Sequence, residues 1–418
     1  MRTLADWLAL QESVHPKTID MGLGRVTSVA RTLGVDKFAG RVITVGGTNG
    51  KGSTVVHLDS FLRTSGVSTG MFTSPHFIRY NERIQVNGTE VTDAELVAAF
   101  ERIERSRGAT TLTFFEYNVL AALVIFAERA VSVAILEVGL GGRLDAVNLL
   151  DPDVAIVCSI GFDHRDYLGD TLDLIGAEKA GIFRPGRPAV LGTADMPRSV
   201  FAAIESLQAR PVVAGKDFKW SVANDGRWSY DGPGLSCRDL SPSALVGSIQ
   251  YRNAATALAA LEALGSVRLS ERTVSAALSA VRLPGRFQSV QKDSVEWILD
   301  IAHNEPAAVI FARHIREHPG QGRTLAVVGI LSDKDAGAIA RVLEREVDQW
   351  VLCALPGPRG GSAEDLARRM SLSPAAVTLA PSVEEGCAVA SATAKPGDRV
   401  LVFGSFHTVG PAMQWLGI

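Results

Sequence analysis

The feature that most constrains the fold is a glycine-rich loop, GTNGKGS, which begins at Gly47 directly after an apolar segment. Residues 41–45 predict a strand, and residues 53–65 predict a helix that ends near Gly66. A loop between a strand and a helix offers backbone N–H groups and a positive helix end to phosphate, and Lys51 adds a cation. The pattern favours a nucleotide site over a turn that only lets the helix pack on its strand.

The loop departs from the Walker pattern G-x-x-x-x-G-K-[ST] at two positions. Val45 stands where the first glycine should be, and Gly52 separates Lys51 from Ser53. The generic motif alone therefore only suggests nucleotide binding.

Strand and helix patterns alternate along the chain. The segments 131–138 and 154–160 are rich in β-branched residues and show little alternation, which is typical of strands buried on both faces of a parallel sheet. A helical pattern over 116–129 separates the first of them from the loop region. The sequence therefore predicts an α/β fold with a mainly parallel sheet and right-handed crossovers.

The second half of the chain predicts a separate, smaller α/β domain. Residues 216–243 are polar and glycine-rich, which predicts short antiparallel strands or a loop. The segment LPGRFQ at 283–288 breaks the helical pattern, and strands are predicted near 295–300, 324–330, 349–354 and 399–403. Because 418 residues exceed the usual size of one core, we expect two domains, 1–286 and 287–418.

Composition excludes several classes of partner. The formal net charge of −3 arises from 42 basic and 45 acidic residues without blocks of one sign, so neither nucleic acid nor an anionic membrane is expected to bind. The four cysteines form no CxxC pair, and no segment approaches the roughly 20 apolar residues of a membrane span. We expect a cytoplasmic protein.

Two consecutive predicted strands end in side chains that could bind a metal. Glu137 lies near the end of VSVAILEV, where a carboxylate binds a cation or is an ordinary strand-end group. His164 follows the next strand and taken alone is more often structural. Together, beside a phosphate loop, they favour a Mg²⁺ site, although imidazole is an unusual ligand for this hard cation.

Three further residues have no assignment from pattern alone. Lys179, in AEKAGIF, is read as a surface lysine on a helix. Asp300 and His303, in LDIAHNEPAA, lie at a strand end before a helix, where α/β sheets bind ligands. A helix N-cap and its neighbour explain them equally well.

Taken together, these motifs resemble the folylpolyglutamate synthase and dihydrofolate synthase family, relatives of the Mur ligases, over essentially the whole chain. The matching segments are KTIDMGLGRV (17–26), GTNGKGS (47–53), TSPHFIRYNERI (73–84), LTFFEYNVLAAL (112–123), EVGLGGRLDAVN (137–148), DHRDYLGDTLDLIGAEKAGIF (163–183), LPGRFQ, LDIAHN (299–304), SDKD (332–335) and GSFHTVG (404–410). In this family the glycine between lysine and serine is the usual form of the loop. The resemblance implies a Mur ligase-like ATP-binding domain followed by a Rossmann-like ligase domain.

The resemblance also implies a set of site residues, placed between the two domains. ATP would be bound by Thr48, Asn49, Gly50, Lys51, Gly52, Ser53, Asn253, Arg286, Asp300 and His303. Mg²⁺ would be held by Ser74, Glu137 and His164, and a carbamylated Lys179 would bind a second metal. Lys51, His164 and Lys179 are the implied catalytic residues. The resemblance further allows a role for K⁺.

Within the family, enzymes that also accept dihydropteroate carry KTID-type and LTxFE-type segments, as this chain does. The implied pterin-binding residues are Thr18, Ile19, Asp20, Met21, Thr113, Phe114, Phe115 and Leu144. One departure from the family pattern is Ile249, in a segment implied to contact adenine, where many relatives have histidine.

The implied reaction is the ATP-dependent joining of glutamate to dihydropteroate and to tetrahydrofolates through an acyl phosphate. The expected partners are these small molecules, and the chain is expected to be a monomer. Alternatives are a folylpolyglutamate synthase without dihydropteroate activity, a Mur ligase acting on another carboxylate, a nucleotide-dependent switch and a non-catalytic nucleotide-binding scaffold. Only about 45 residues precede the loop, which disfavours a Mur ligase with a separate N-terminal domain.

Overall fold

The computed structural model describes residues 2–17 and 19–418. Its chain divides into two compact units. The first comprises the chain up to Gly161 together with 165–244 and 250–281, and the second comprises 162–164, 245–249 and 282–418. The domain division at residue 286 stays a prediction.

The first unit is built on a mainly parallel sheet, which confirms the predicted fold class. Over the described residues its strand order is β4-β3-β2-β5-β1-β6-β7-β8. The strands are β1 (Arg41–Gly46), β2 (Thr69–Phe72), β3 (Ile84–Val86), β4 (Thr89–Glu90), β5 (Val133–Glu137), β6 (Val154–Val157), β7 (Pro188–Leu191) and β8 (Arg210–Val213). The β3 and β4 strands are antiparallel to their neighbours, whereas the others run parallel.

The helices of the first unit are α1 (Leu4–Val14), α2 (Gly24–Leu33), α3 (Lys51–Thr64), α4 (Asp93–Arg107), α5 (Phe114–Glu128), α6 (Arg165–Leu168), α7 (Leu172–Ala180), α8 (Arg198–Leu207), α9 (Ile249–Leu264) and α10 (Glu271–Ala280). Helix α5 is apolar around most of its circumference, so it is almost fully buried. A capping box formed by Thr113 and Glu116 sets its first residue.

Residues 216–243 do form short antiparallel strands. They are β9 (Lys219–Val222), β10 (Trp228–Asp231) and β11 (Ser236–Leu240), with β10 in the middle. Trp228 and Tyr230 are buried beneath this small sheet, which explains the scattered aromatics of the segment.

The second unit is a six-stranded sheet over the described residues, in the order β12-β13-β17-β14-β15-β16. Its strands are β12 (Gln288–Lys292), β13 (Val295–Asp300), β14 (Thr324–Val328), β15 (Gln349–Cys353), β16 (Val377–Ala380) and β17 (Arg399–Phe403). Its helices are α11 (Glu305–Glu317), α12 (Ala336–Leu343), α13 (Ala363–Met370), α14 (Val383–Thr393) and α15 (Phe406–Leu416). Only β12 is antiparallel within the described part of this sheet.

Short 3₁₀ helices complete the structure: Tyr80–Arg83, Ala146–Leu149, Glu344–Glu346 and Pro374–Ala376. In residues 2–17 and 19–418, none of the helices has both the length and the apolar character needed to cross a bilayer.

The N-terminal helices α1 and α2 are not evident from the sequence pattern. They pack against α4 and α5, and they bury Trp7, Val26 and Val29 in the core of the first unit. The segment between them, which includes the KTID motif, is therefore attached to the unit at both ends.

Candidate active site

The glycine-rich loop connects β1 to α3, and glycine is required at two of its positions. Gly47 and Gly50 have φ angles of 132° and 94°, which side chains rarely adopt. A Cβ atom on Gly47 would lie 3.0 Å from the Cys158 backbone nitrogen, and one on Gly50 would lie 3.0 Å from Asn253 Oδ1. The two glycines thus hold the loop in a conformation that places its backbone N–H groups beside the N-terminus of α3.

The chain that follows β6 holds the loop in place. Thr48 Oγ1 donates to the Gly161 carbonyl at 3.1 Å and accepts from the Gly161 N–H at 3.0 Å. Ser159 Oγ accepts from the Asn49 N–H at 3.2 Å and donates to the Asn49 carbonyl at 2.9 Å. These reciprocal bonds order the loop before any ligand binds.

Two lysines meet at one carbonyl oxygen of the loop. Lys51 Nζ donates to the carbonyls of Gly47 and Thr48, both at 3.1 Å. Lys179 Nζ donates to the same Gly47 carbonyl at 3.1 Å, although Lys179 is only 6% exposed. Lys179 is therefore not the surface lysine that its sequence context suggests.

Glu137 ends β5, in register with Val45, the penultimate residue of β1. Its side chain is buried, and its Oε2 accepts from the Ser74 N–H at 3.2 Å. The structure thus brings Ser74, Glu137, Lys179 and the loop together within the first unit. It places His164 in the second unit, together with Phe162 and Asp163. The φ angle of His164 is 50°, which is positive.

The donor set suits a metal ion that is bound partly by protein groups and partly by a substrate. Among the described residues, no group of three or more His, Cys, Asp and Glu side chains could hold a metal ion. Mg²⁺ is commonly bound by one or two carboxylates together with substrate phosphates and water. One buried carboxylate and the nearby Ser74 fit that pattern, whereas they do not form a closed structural metal site.

The predicted nucleotide contacts of the second unit form one cluster. Asp300 Oδ2 accepts from the Phe287 N–H and Oδ1 from the Ala302 N–H, both at 2.9 Å. Burial raises the pKa of Asp300 above its ordinary value, although the Arg286 guanidinium opposes this shift. Asp300 therefore joins the LPGRF loop to the end of β13.

Asp163 is a residue that pattern analysis did not assign. Its carboxylate accepts from Lys334 Nζ at 2.5 Å and from Asn304 Nδ2 at 3.0 Å, and it lies 3.4 Å from His303 Nε2. Burial opposes its ionisation, but the hydrogen bond from His303 and the Lys334 ammonium hold the pKa of Asp163 far below its usual range. The position of Lys334 in the SDKD segment was a signal for this partner.

The predicted pterin residues come from three segments that contact one another. A Cβ atom on Gly141 would lie 3.4 Å from Met21 Cε, and one on Gly139 would lie 2.6 Å from Phe115 Cζ. The glycines therefore allow both side chains to approach the turn that contains the half-buried Leu144. The sequence distance between these segments exceeds 90 residues for Met21 and Phe115.

The other predicted pterin residues flank this contact. Ile19 and Asp20 are half-buried, and Thr113 is the N-cap of α5. The Phe114 ring packs on Tyr80 with a centroid distance of 5.8 Å. Thr18 lies outside the described residues.

Asp145, also unassigned from the sequence, shapes the glycine-rich turn. It accepts from the N–H groups of Gly139 and Leu140 at 3.0 and 2.8 Å. Burial raises its pKa to about 6 in spite of these bonds. An aspartate three residues after the last glycine of the run, Gly142, was the available signal.

Comparisons with known proteins show the family to which the chain belongs. The family model of the Mur ligase middle domain matches residues 45–261, and that of the Mur ligase, glutamate ligase domain matches residues 285–406. Dihydrofolate synthase/folylpolyglutamate synthase of Escherichia coli K12 is 44% identical over 411 residues, which cover 98% of this chain and 95% of that protein. The chain belongs to the dihydrofolate synthase/folylpolyglutamate synthase family.

Solved structures of the family have the same fold. E. coli FolC in complex with DHPP and ADP has a TM-score of 0.94 and 42% identity, covering 100% of this chain and 98% of that one. A bifunctional folylpolyglutamate synthase/dihydrofolate synthase with Mn, AMPPNP and L-glutamate bound has a TM-score of 0.92 and 40% identity, covering 100% and 99%. Mycobacterium tuberculosis folylpolyglutamate synthase complexed with ADP, at 28% identity, has a TM-score of 0.90 and covers 99% and 98%.

Proposed function

We propose that this chain is an ATP-dependent acid–amino-acid ligase that joins L-glutamate to 7,8-dihydropteroate and to tetrahydrofolates. The observation that carries the proposal is the convergence of the ordered phosphate loop, Lys51, Glu137 and Lys179 at one end of the first sheet. The bifunctional name of a relative that is 44% identical over nearly the whole chain supports both substrates.

In the first step, the pteroate carboxylate attacks the γ-phosphorus of ATP, forming an acyl phosphate and releasing ADP. The loop amides and the Lys51 ammonium bind the phosphate oxygens and offset the charge that develops on them. Thr48 and Asn49 are proposed to order the loop beside the phosphates, because their backbone N–H groups already donate to the carbonyl and hydroxyl oxygens of Ser159 and the Thr48 hydroxyl bonds Gly161.

In the second step, the neutral amine of glutamate attacks the acyl carbon. The new C–N bond replaces the C–O bond to phosphate, and the amine proton leaves with inorganic phosphate or water. Because acyl phosphates hydrolyse readily, the enzyme must hold both substrates in place and exclude water from the acyl carbon.

Glu137 and Ser74 would hold Mg²⁺ in the first unit, and His164 is a proposed further ligand. When bound, the metal neutralises phosphate charge and orients the γ-phosphate. Relatives solved with AMPPNP and Mn support a requirement for a divalent cation. A role for K⁺ stays part of the proposal.

Lys179 is proposed to be carbamylated. Its ammonium and that of Lys51 share the Gly47 carbonyl, so the two charges lie no more than about 6 Å apart in a buried region and repel each other. The neutral amine of Lys179 would attack CO₂, form an N–C bond and release a proton. The resulting anion removes the repulsion and adds an oxygen ligand for a second metal. Intact-mass analysis of metal-loaded, active enzyme tests this, and an unmodified amine contradicts it.

Asn253, Arg286, Asp300 and His303 are proposed to contact ATP. Asn253 is the best supported of them, because its Oδ1 lies close enough to Gly50 to limit what that position can hold. The Asp300 carboxylate accepts hydrogen bonds from two backbone N–H groups, so we propose that it also orders the loop that carries Arg286.

The function is tested by incubating the purified protein with ATP, Mg²⁺, dihydropteroate and glutamate. We expect equal amounts of dihydrofolate, ADP and phosphate. ATP turnover that ignores glutamate favours a nucleotide-dependent switch. Product from tetrahydrofolate but none from dihydropteroate favours a monofunctional folylpolyglutamate synthase.

We also propose that the enzyme is a cytoplasmic monomer. Cys158, Cys237, Cys353 and Cys387 are all free and buried, which is consistent with a reducing compartment. Analytical ultracentrifugation at working concentrations tests the monomeric state.

A further inference from the structure

Asp20 belongs to the predicted pterin site, but its carboxylate already has protein partners. Asp20 Oδ2 lies 3.0 Å from His15 Nε2 and accepts from Arg25 Nη1 at 2.7 Å. Arg25 Nη2 also donates to the Asp20 backbone carbonyl at 2.6 Å. The His15 hydrogen bond and the charge of Arg25 lower the pKa of Asp20, although burial opposes this shift. Asp20 is thus an ionised centre of this network.

Arg25 extends the network to the start of α5. Its Nη2 lies 3.2 Å from Glu116 Oε1, and Glu116 is 3% exposed. Glu116 Oε2 in turn accepts from the Thr113 N–H at 2.7 Å, which caps the helix. One guanidinium therefore bridges the carboxylate of the KTID segment and the carboxylate of the LTFFE segment.

His15 forms a second bridge between the same segments. Its Nδ1 lies 2.9 Å from Thr111 Oγ1, two residues before Thr113, while its Nε2 contacts Asp20. The His15 side chain is only 7% exposed. Both bridges meet at Asp20, so neither segment can move away without breaking both.

The position of Arg25 in its helix is unfavourable for a cation unless the two carboxylates compensate for it. Arg25 lies in the first turn of α2, where the helix dipole disfavours a cation. Two carboxylates offset that cost, and the planar guanidinium can reach both at once. A surface arginine in this turn would not need such partners.

We propose that His15 and Arg25 are positioning residues for the pterin substrate. They act through Asp20 and Glu116 to hold Ile19 and Met21 at a fixed distance from Phe114 and Phe115, so that the pterin-binding surface exists before the substrate arrives. This inference rests on the proposed function for the identity of the ligand. The network itself contacts no reacting atom.

The test compares Arg25→Met, Arg25→Lys and His15→Phe in the full-length protein. Arg31→Met is the matched control, because Arg31 lies in the same helix with its side chain 72% exposed. The measurements are the equilibrium dissociation constant of dihydropteroate in the presence of ADP, the KM for ATP, and the Tm.

We expect Arg25→Met and His15→Phe to weaken dihydropteroate binding by about tenfold or more, because small displacements of binding groups are costly. The KM for ATP should stay within about twofold, since the phosphate loop belongs to other elements. Arg25→Lys should keep part of the affinity, because an ammonium retains the charge but cannot contact both carboxylates with the planar geometry of a guanidinium. Arg31→Met should behave as the wild type.

Wild-type dihydropteroate affinity in Arg25→Met would overturn the inference, and so would an equal loss for dihydropteroate and ATP. If Arg25→Met does not fold, Arg25→Lys and His15→Phe make the same comparison. A wild-type protein that neither binds dihydropteroate nor forms dihydrofolate contradicts the proposed function instead. In that case, unchanged amide hydrogen exchange over residues 15–25 in Arg25→Lys would show that the network holds nothing in place.

Discussion

At Gly47, a single backbone carbonyl oxygen accepts hydrogen bonds from two lysines that are 128 positions apart in the chain. This arrangement concentrates positive charge beside a loop in which a Cβ atom on Gly47 or Gly50 would make contacts as short as 3.0 Å. Phosphate is the natural counter-charge for such a site. The individual residues thus favour anion binding by a loop that does not satisfy the Walker pattern.

Replacing Lys51 tests the charge directly. Lys51→Ala should lower kcat/KM for ATP by about 100-fold or more, because it removes a preorganised cation from the transferred phosphate. Lys216→Ala, at an exposed turn of the same unit, is the control and should leave kinetics unchanged. Full ligase activity in Lys51→Ala would remove Lys51 from the mechanism.

His57 links the loop helix to pH. It is fully buried, with Nδ1 2.7 Å from the Ser53 carbonyl and Nε2 2.9 Å from Ser243 Oγ. Burial lowers its pKa to about 4, although the Ser53 hydrogen bond opposes the shift. At pH values between about 4 and the ordinary histidine pKa, His57 is protonated in the unfolded chain but neutral in the native state. The free energy of unfolding therefore falls as the pH drops through this range, and it levels off below it.

The expected loss from His57 is at most about 3 kcal/mol in the unfolding free energy of the first unit. His57→Asn keeps a donor for the Ser53 carbonyl but does not titrate, so its stability should depend less on pH between 7 and 5. His318→Asn, at an exposed position, should keep the wild-type dependence. Denaturant unfolding at the two pH values measures this, and equal slopes for wild type and His57→Asn would contradict it.

Helix α3 has a glycine with positive φ at each end. A Cβ atom on Gly50, its N-cap, would lie 3.0 Å from Asn253 Oδ1, whereas a Cβ on Gly66, just after the helix, would meet no atom within 4 Å. The two positions therefore separate backbone strain from contact with the site. We expect the N-terminal end to contact a ligand and the C-terminal end only to reverse the direction of the chain.

Alanine at these two glycines should have different effects. Gly66→Ala should cost about 1 kcal/mol of stability through strain alone and leave ADP affinity unchanged. Gly50→Ala should weaken ADP binding by about tenfold or more, because it displaces the loop amides. Calorimetric titration with ADP decides between them, and equal affinities would show that the loop tolerates displacement.

At the scale of the whole molecule, Asp163 and Lys334 connect positions that are 171 residues apart. Both side chains are about nine-tenths buried. Such a pair adds little over an apolar contact, but breaking it leaves a buried charge without compensation. The segment 162–164 therefore belongs to the second unit for an electrostatic reason.

A double-mutant cycle tests this pair. Asp163→Asn and Lys334→Met should each lower stability by about 3–5 kcal/mol, and the double variant should lose less than their sum. The exposed pair Arg165–Asp170, at 3.1 Å, is the control, and Asp170→Asn should change stability by no more than about 1 kcal/mol. Additive losses in the Asp163–Lys334 cycle would show that the two charges do not interact.

Local patterns predicted much of the fold. Strands 295–300 and 399–403 have the predicted bounds, and helix α5 begins two residues before the predicted start. These segments succeed because their apolar residues repeat over several turns or positions. Helices α1 and α2 and the short strands β3 and β4 were missed, because short or weakly apolar elements depend on what they pack against.

The sequence alone determined the fold class, the phosphate loop with Lys51, and the strand-end position of Glu137, because each depends on neighbours within a few residues. Only the tertiary structure decided that Lys179 is buried beside Lys51, that Asp163 pairs with Lys334, and that Arg25 bridges Asp20 and Glu116. These interactions join distant segments, and a charged residue looks like a surface residue until the fold supplies its partner. The glycine-rich loop and Lys51 are visible in the sequence, but the second lysine beside them, Lys179, is not.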